Sequence, residues 1–153
     1  MKRKLRVMAM FAAAVILATA CGKTADKQID AKGLAASLAQ EVTYKDTLEE
    51  LTAEQISIYF EVEEGVTATV YMGSGSTAEE VAVFEAKDEE TAKRQLASVE
   101  TYLREQAESF RDYIPEEVKR IDDAVVKQQG SYVVLCVSED SAKAEEIIEK
   151  AFQ

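Results

Sequence analysis

The chain has 153 residues and no histidine, which narrows the chemistry that its other side chains can do. Without histidine, neither a Ser-His-Asp nor a Cys-His arrangement can form, and zinc loses its commonest nitrogen ligand. The remaining reactive side chains are two cysteines, Cys21 and Cys136, and many carboxylates. We therefore predict no catalytic residues, no metal site and no cofactor.

Carboxylates are the most abundant side chains that could take part in catalysis, since the chain has 29 aspartate and glutamate residues. A pair of them could hydrolyse a glycan if two acidic side chains faced each other in a concave pocket and one was partly buried. No D-x-[DN]-x-[DN]-G loop that would bind calcium occurs. The acidic residues most open to a catalytic interpretation fall in polar segments typical of solvated surface: Glu61, Glu63, Glu64, Glu116, Glu117, Asp122 and Asp123.

A glycine-serine cluster occupies residues 73–80 and has two interpretations. Its backbone N–H groups could form a nest for an anion, or it could be a plain hairpin loop. Neither the G-x-x-x-x-G-K-[ST] nor the G-x-G-x-x-G spacing is present, the loop has no lysine, and Glu79 and Glu80 would repel a phosphate. These features favour the hairpin loop.

The two cysteines lie in very different surroundings. Cys136 sits within an apolar run, where a buried thiol has a raised pKa and acts as a small hydrophobic group. Cys21 follows a charge-free stretch of 14 residues, Val7 to Ala20, that is too short for a comfortable membrane span. A basic segment precedes that stretch, containing Lys2, Arg3, Lys4 and Arg6.

This order of segments is typical of a secretory signal peptide. The sequence Leu17-Ala18-Thr19-Ala20-Cys21-Gly22 also resembles the bacterial lipobox, although the leucine stands one position earlier than usual. That resemblance implies cleavage before Cys21 and a diacylglyceryl group on its thiol. An ordinary secretory peptide and an uncleaved anchor are the alternatives. We predict a signal peptide at 1–20, a lipidated Cys21 with a polar tether at 21–29, and one domain at 30–153.

Cleavage would make the chain more acidic. It removes four basic residues and no acidic ones, which leaves 14 basic against 29 acidic side chains and a net charge of −15. The eight residues from Gly22 to Ile29 span at most about 28 Å when fully extended, so the domain would work close to the outer face of the cell membrane. Such a charge argues against nucleic acid as a partner and favours a basic envelope protein or peptide.

Helix signals divide the rest of the chain. Asp30 is a good N-cap for a first helix, and Thr52 opens a capping box for a short second one. Asp88 caps the longest apolar stripe, which we expect to run from Glu89 to Ile114, about 39 Å, and to end at Pro115. Its far end should be covered by the first helices, through the apolar side chains Leu34, Leu38, Ile56 and Phe60. The alternative is that Ala107, Phe110 and Ile114 form an exposed apolar patch suited to a partner. A closing helix begins near Ser141.

Strand signals come in two pairs. Val66–Met72 alternates apolar and polar residues, and Val81 to Ala86 is its return strand. Ala124 to Gln128 and Tyr132 to Ser138 form the second pair, with the last strand apolar on both faces and hence interior. The sequence thus predicts an α+β fold, with an antiparallel sheet of about four strands, two hairpins separated by a long helix, and helices packed on one face.

Three segments carry a family resemblance: residues 73–88, residues 109–115 and residues 130–135. Together they resemble the recurring segments of a bacterial lipoprotein family labelled domain of unknown function 4358, over about residues 30–152. The resemblance implies a lipid-anchored envelope protein and transfers no functional residues.

Two functions follow as expectations. The preferred one is a non-enzymatic envelope module that binds a protein or peptide, with Thr67, Thr69 and Tyr71 on an open sheet face as weak binding candidates. The alternative is a carboxylate-dependent hydrolase of the cell envelope.

Overall fold

The computed structural model describes residues 28–153, so the predicted signal peptide, Cys21 and most of the tether lie outside the described residues. The described part contains five helices and a five-stranded antiparallel sheet. In chain order the elements are α1 (Ala31–Glu41), β1 (Glu49–Glu50), α2 (Ala53–Tyr59), β2 (Val66–Met72), β3 (Glu80–Ala86), α3 (Glu89–Phe110), α4 (Pro115–Asp122), β4 (Val125–Gln129), β5 (Tyr132–Val137) and α5 (Ser141–Phe152). No helix among these residues is long and apolar enough to span a bilayer.

The sheet confirms the predicted α+β class and both hairpins. Its strand order is β1-β2-β3-β5-β4, and every neighbouring pair is antiparallel. The interior position of β5 is confirmed, because all six of its residues are buried between β3 and β4. Gly130 turns the second hairpin with a φ of 56°, a conformation that glycine adopts without strain. The edge strand β1 was not predicted, because two residues are too few to show the alternating pattern of a strand.

Helices cover both faces of the sheet, which corrects the expected one-sided packing. Along β3, Ala82 and Phe84 join a core with α2, α3 and α4, whereas Val81 and Val83 join a second core with α1 and α5. Since successive strand residues point to opposite faces, a strand buried at every position needs cover on both sides. β5 has that character, and β3 comes close to it, since all its residues except the half-buried Glu85 are buried.

The long helix is shorter than predicted. α3 ends at Phe110, and Pro115 is the first residue of the separate helix α4 rather than the stop of α3. Proline suits this place because the first turn of a helix needs no backbone N–H from it. The caps predicted at Asp30, Thr52 and Asp88 are all confirmed, each accepting a hydrogen bond from the first turn of its helix.

The far end of α3 is covered, but by fewer helices than expected. Phe110 is 7% exposed and shares its core with Ile56 and Phe60 of the α2 segment, as predicted. Leu34 and Leu38 do not contribute, because α1 packs on the opposite face of the sheet. The amphipathic pattern of α1 showed that it has an apolar side, but it did not show which sheet face that side covers.

Candidate functional site

Three glutamates are buried near the start of β3. Of these, only Glu117 was expected on solvated surface, and the structure corrects that expectation. The other acidic residues of that set are exposed or, for Glu63, half-buried: Glu61, Glu63, Glu64, Glu116, Asp122 and Asp123. Glu79 and Glu80 are each 1% exposed, and Glu117 on α4 is 2% exposed. Removing a carboxylate from water is costly unless it gains partners or a proton. The partners of each group therefore indicate what it can do.

Glu117 and Glu79 are held by Arg120, which is itself buried on α4. The Arg120 guanidinium donates from Nη1 to Glu117 and from Nη2 to Glu139, and its Nε lies 3.7 Å from Oε1 of Glu79. Glu117 also accepts the backbone N–H of Ala78 at 2.8 Å. The hydrogen bond from Arg120 lowers the pKa of Glu139. This set, which we call the Arg120 cluster, is fully partnered and fastens α4 to the chain before β3.

The glycine-serine loop is a hairpin loop that does hold an anion, namely a carboxylate of the same chain. Ser74 donates its backbone N–H and its hydroxyl to Asp46 at 2.7 and 2.6 Å, and these bonds lower the pKa of Asp46. In return, Glu79 accepts the backbone N–H groups of Lys45 and Asp46 at 2.9 and 2.8 Å. The reciprocal bonds lock this loop to the segment after α1, so an external anion would have to displace Asp46.

Glu80 differs from its neighbours because no cation within residues 28–153 pairs with it and one of its oxygens has no hydrogen-bond partner there. Its Oε2 accepts the hydroxyl of Tyr102 at 2.8 Å, and that hydroxyl accepts Nε2 of Gln106 at 2.8 Å. Oε1 of Glu80 and Oε1 of Gln106 are both buried and have no hydrogen-bond partner among the described residues. Buried polar atoms without a hydrogen-bond partner are uncommon in a folded domain, so each of these oxygens calls for an explanation.

Burial raises the pKa of Glu80 to about 8, against the opposing effect of the Tyr102 hydrogen bond. The group is therefore mainly protonated at neutral pH. Burial also raises the pKa of Tyr102, so its hydroxyl keeps the proton that it donates to Oε2. Because Oε2 is already an acceptor, Oε1 is the oxygen that carries the carboxyl proton.

Glu80, Tyr102 and Gln106 line an open cavity of about 420 Å³ between α3 and the β2–β3 loop, which we call the Glu80 pocket. Tyr59 at the end of α2 and Tyr113 after α3 also line it. The side chain of Tyr59 is 49% exposed and that of Tyr113 is 71% exposed. With Ile58, at 75%, they are the exposed large hydrophobic side chains of residues 28–153. An apolar rim around buried polar groups is a common composition for a ligand pocket.

The binding candidates chosen from sequence lie elsewhere. Thr67, Thr69 and Tyr71 point to the sheet face that carries α1, where Thr67 is exposed and the other two are half-buried. The Tyr71 hydroxyl donates to Glu50 on β1 at 3.2 Å. Contacts between α1 and β2 cover much of this face, so it is less open than expected. Nothing brings these three residues together with the Glu80 pocket.

Cys136 is fully buried and free, as predicted. Its sulfur lies 3.4 Å from the Tyr44 hydroxyl, and burial raises the pKa of the thiol. Within residues 28–153, no group of three or more acidic or cysteine side chains is arranged to hold a metal ion. The described groups of the Glu80 pocket offer hydrogen bonding, charge and proton exchange at Glu80.

Sequence reasoning missed Glu80, Tyr102 and Gln106, and one signal could have found them. Glu80 aligns in register with Ala82 and Phe84 on the α3 side of β3, so extending the return strand by one residue places a carboxylate on a core face. Tyr102 and Gln106 are four residues apart on α3 and hence on one helix side. Their meeting with Glu80 depends on how α3 crosses the sheet, which no local pattern shows.

The fold and these buried acids define an α+β protein whose antiparallel sheet is covered by helices on both faces, with a buried carboxyl group lining an open pocket. The family model described as Domain of unknown function (DUF4358) matches residues 40–138, and the chain belongs to this family. The match runs from the end of α1 to the end of β5 and includes the whole Glu80 pocket. No curated protein and no solved structure gives a significant match.

Proposed function

We propose that this protein is a lipid-anchored extracytoplasmic binding module, without enzymatic activity, that binds a basic protein or peptide at the Glu80 pocket. The lipobox-like segment before Cys21 supports attachment to the outer face of the cell membrane. The observation that carries the binding role is the pocket itself, with exposed aromatic rings at its rim and orphaned acceptors at its floor. An exposed apolar surface around a pocket is typical of a binding site.

The charge and the position of the pocket also support this function. The chain carries a net charge of −11, so its field attracts basic partners and speeds their approach. The pocket lies on the α3 side of the sheet, whereas the chain enters the described fold through α1 on the other side. A partner could therefore reach the pocket while the tether holds the opposite face.

Site-specific photocrosslinking in native membranes tests this function. A photoreactive amino acid replaces Tyr113 at the pocket rim, and a matched control replaces the exposed Glu145 on α5 of the opposite face. We expect a discrete crosslinked partner with a basic surface from position 113 and none from position 145. Equal crosslinking from both positions, or none from position 113, would exclude the pocket as the binding surface.

A carboxylate-dependent envelope hydrolase is the second candidate, favoured by one observation. Glu80 and the exposed Glu105 line the same cavity, and the raised pKa of Glu80, about 8, suits a general acid. Incubation with cell-wall glycan fragments separates the two functions. A hydrolase would release new reducing ends, and Glu80→Gln and Glu105→Gln would each abolish the release. The binding module predicts no release from the unaltered protein.

A further inference from the structure

We infer that the Glu80 pocket takes a primary ammonium group, accepted by the Glu80 carboxylate and the Gln106 side-chain carbonyl and flanked by the rings of Tyr59 and Tyr113. This inference rests on the proposed function and names the chemical group of the partner that enters the pocket. The group can belong to a lysine side chain or to a free alkylamine, because the ammonium chemistry is the same.

The two orphaned oxygens determine the kind of ligand. Oε1 of Gln106 is an acceptor without a partner, and Oε1 of Glu80 becomes a second acceptor when its carboxyl group loses the proton, so a ligand of the ionised pocket must supply donors. An ammonium group carries three donors on one atom and can serve two oxygens at once. Gln106 is half-buried and lines the cavity, so it is more accessible to a ligand than Glu80, which is 1% exposed.

A guanidinium group fits less well. Its planar fork is matched to both oxygens of one carboxylate, but Oε2 of Glu80 already accepts the Tyr102 hydroxyl at 2.8 Å. A single Glu80 oxygen is therefore available, which suits a compact ammonium. The rim adds a second source of attraction, since cations are stabilised over the faces of tyrosine rings. Tyr59 and Tyr113 both line the cavity with exposed side chains.

Binding must release a proton. The neutral Glu80 carboxyl group gives its Oε1 proton to solvent, and the resulting carboxylate pairs with the ammonium, whose own protons and charge are unchanged. The titratable groups around Glu80 are Tyr102 and Glu105 on α3, Tyr59 on α2, Cys136 on β5 and the adjacent Glu79. Burial raises the pKa of Tyr102 and of Cys136, so both stay neutral as Glu80 ionises.

The pH dependence follows from this exchange. The free pocket holds a carboxyl group with a pKa of about 8, so at pH values below 8 the competent carboxylate becomes about tenfold more abundant for each unit that the pH rises. Alkylamines stay cationic throughout, since their pKa is about 10. The association constant should therefore rise about tenfold from pH 6 to pH 7, with close to one proton released per ligand bound.

Isothermal titration calorimetry tests this inference with three probes at pH 6, 7 and 8, in buffers of different ionisation enthalpy. The probes are n-butylamine, a short peptide with one central lysine, and the same peptide with that lysine acetylated. Glu80→Gln is the test variant, and Glu105→Gln removes a carboxylate from the rim of the same pocket as the matched control. The melting temperature of each variant shows whether it is folded.

We expect both amines to bind, the acetylated peptide to bind at least tenfold more weakly, and Glu80→Gln to lose both affinity and proton release. Glu105→Gln should keep the tenfold slope per pH unit. A tighter affinity for the lysine peptide than for butylamine identifies a protein as the source of the ammonium, whereas equal affinities identify a free amine.

Equal binding of the acetylated peptide, unaltered binding by Glu80→Gln, or no binding of either amine by the unaltered protein would overturn the inference. The inference and the proposed function can be distinguished by the crosslinking experiment. A crosslink from position 113 that persists in Glu80→Gln means that a partner uses the rim without an ammonium group in the pocket.

Discussion

Glu80 is a carboxyl group that the fold takes out of water without giving it a cation. Its 1% exposure and its single hydrogen bond from Tyr102 leave protonation as the main way to lower the cost of burial. The adjacent Glu79 is equally buried, but its carboxylate accepts backbone N–H groups and lies beside the Arg120 guanidinium, which offset the cost of its burial. Two neighbouring glutamates thus serve different purposes, one holding loops together and one kept available at the floor of a pocket.

The first prediction concerns the pH dependence of stability. The folded pKa of Glu80 is raised, so the unfolded chain loses this proton first as the pH rises. The stabilisation from the neutral carboxyl is complete below about pH 4.5 and is lost by about pH 8. Glu80→Gln removes this titration. From pH 5 to pH 7, its unfolding free energy should gain about 2 kcal/mol relative to the unaltered protein.

Urea denaturation of both proteins at pH 5, 6, 7 and 8 measures this difference. Comparing the two proteins cancels the titration of the groups that they share. Parallel stability profiles would mean that Glu80 is ionised in the folded protein.

At the scale of elements, the Arg120 cluster connects α4 to the loops that precede β3. Arg120 reaches Glu117 within its own helix, Glu79 at the start of β3 and Glu139 after β5. It therefore holds together three chain segments that are distant in sequence. The glutamates that it joins are buried to different degrees, since the Glu139 side chain is 36% exposed and the other two are almost fully covered.

The second prediction compares this buried cation with an exposed one that has the same partner. Arg120→Met leaves Glu79 and Glu117 buried without their cation and should lower the unfolding free energy by about 3–5 kcal/mol. Lys45, whose Nζ lies 3.3 Å from Glu139, has an exposed side chain. Lys45→Met should cost about 0–1 kcal/mol. Chemical denaturation decides the matter, and equal effects would mean that the Arg120 cluster is solvated.

The third prediction concerns the end of α3. Phe110 is 7% exposed in the core that contains Ile56 and Phe60, so Phe110→Ala should create a cavity and cost about 3–5 kcal/mol. Tyr113, three residues further along, serves as the comparison. Its side chain is 71% exposed, and the centroid of its ring lies 6.3 Å from that of Phe110. Tyr113→Ala should change stability by about 0.5 kcal/mol or less. A melting temperature unchanged by Phe110→Ala would contradict its place in the core.

At the scale of the whole molecule, the sheet separates two surfaces with different surroundings. The α1 and α5 side receives the chain from the N-terminal segment, and Ile29 donates its backbone N–H to the Tyr132 hydroxyl at 3.3 Å. The α3 side carries the Glu80 pocket. The proposed tether and the proposed binding surface therefore lie on opposite sides of the sheet.

The fourth prediction tests the tether. If Cys21 is lipidated, mass spectrometry of the membrane fraction should find a mature N-terminus at Cys21 that carries a diacylglyceryl group. Cys21→Ala should block this processing and change the distribution between membrane and soluble fractions. A mature N-terminus at another residue, or normal processing of Cys21→Ala, would refute the lipid anchor.

Local patterns in the sequence were enough to predict most of the elements and the fold class. The caps at Asp30, Thr52 and Asp88, the strand Val66–Met72 and the interior β5 all depend on residues close together in the chain. Hydrogen bonds within one helix turn and the alternation of a strand are local effects, so a sequence displays them directly. The family and the buried state of Cys136 were predictable for similar reasons.

Only the tertiary structure decided which sheet face each helix covers and which carboxylates leave water. The apolar side of α1 would suit either face, and it packs away from Phe110 because α2 and α3 occupy the other one. Glu117 looks solvated in sequence but is buried because Arg120 and the Ala78 N–H reach it. Glu80 meets Tyr102 across 22 positions of chain. The physical reason is the crossing of α3 over the sheet, a property of long-range packing that local propensity does not encode.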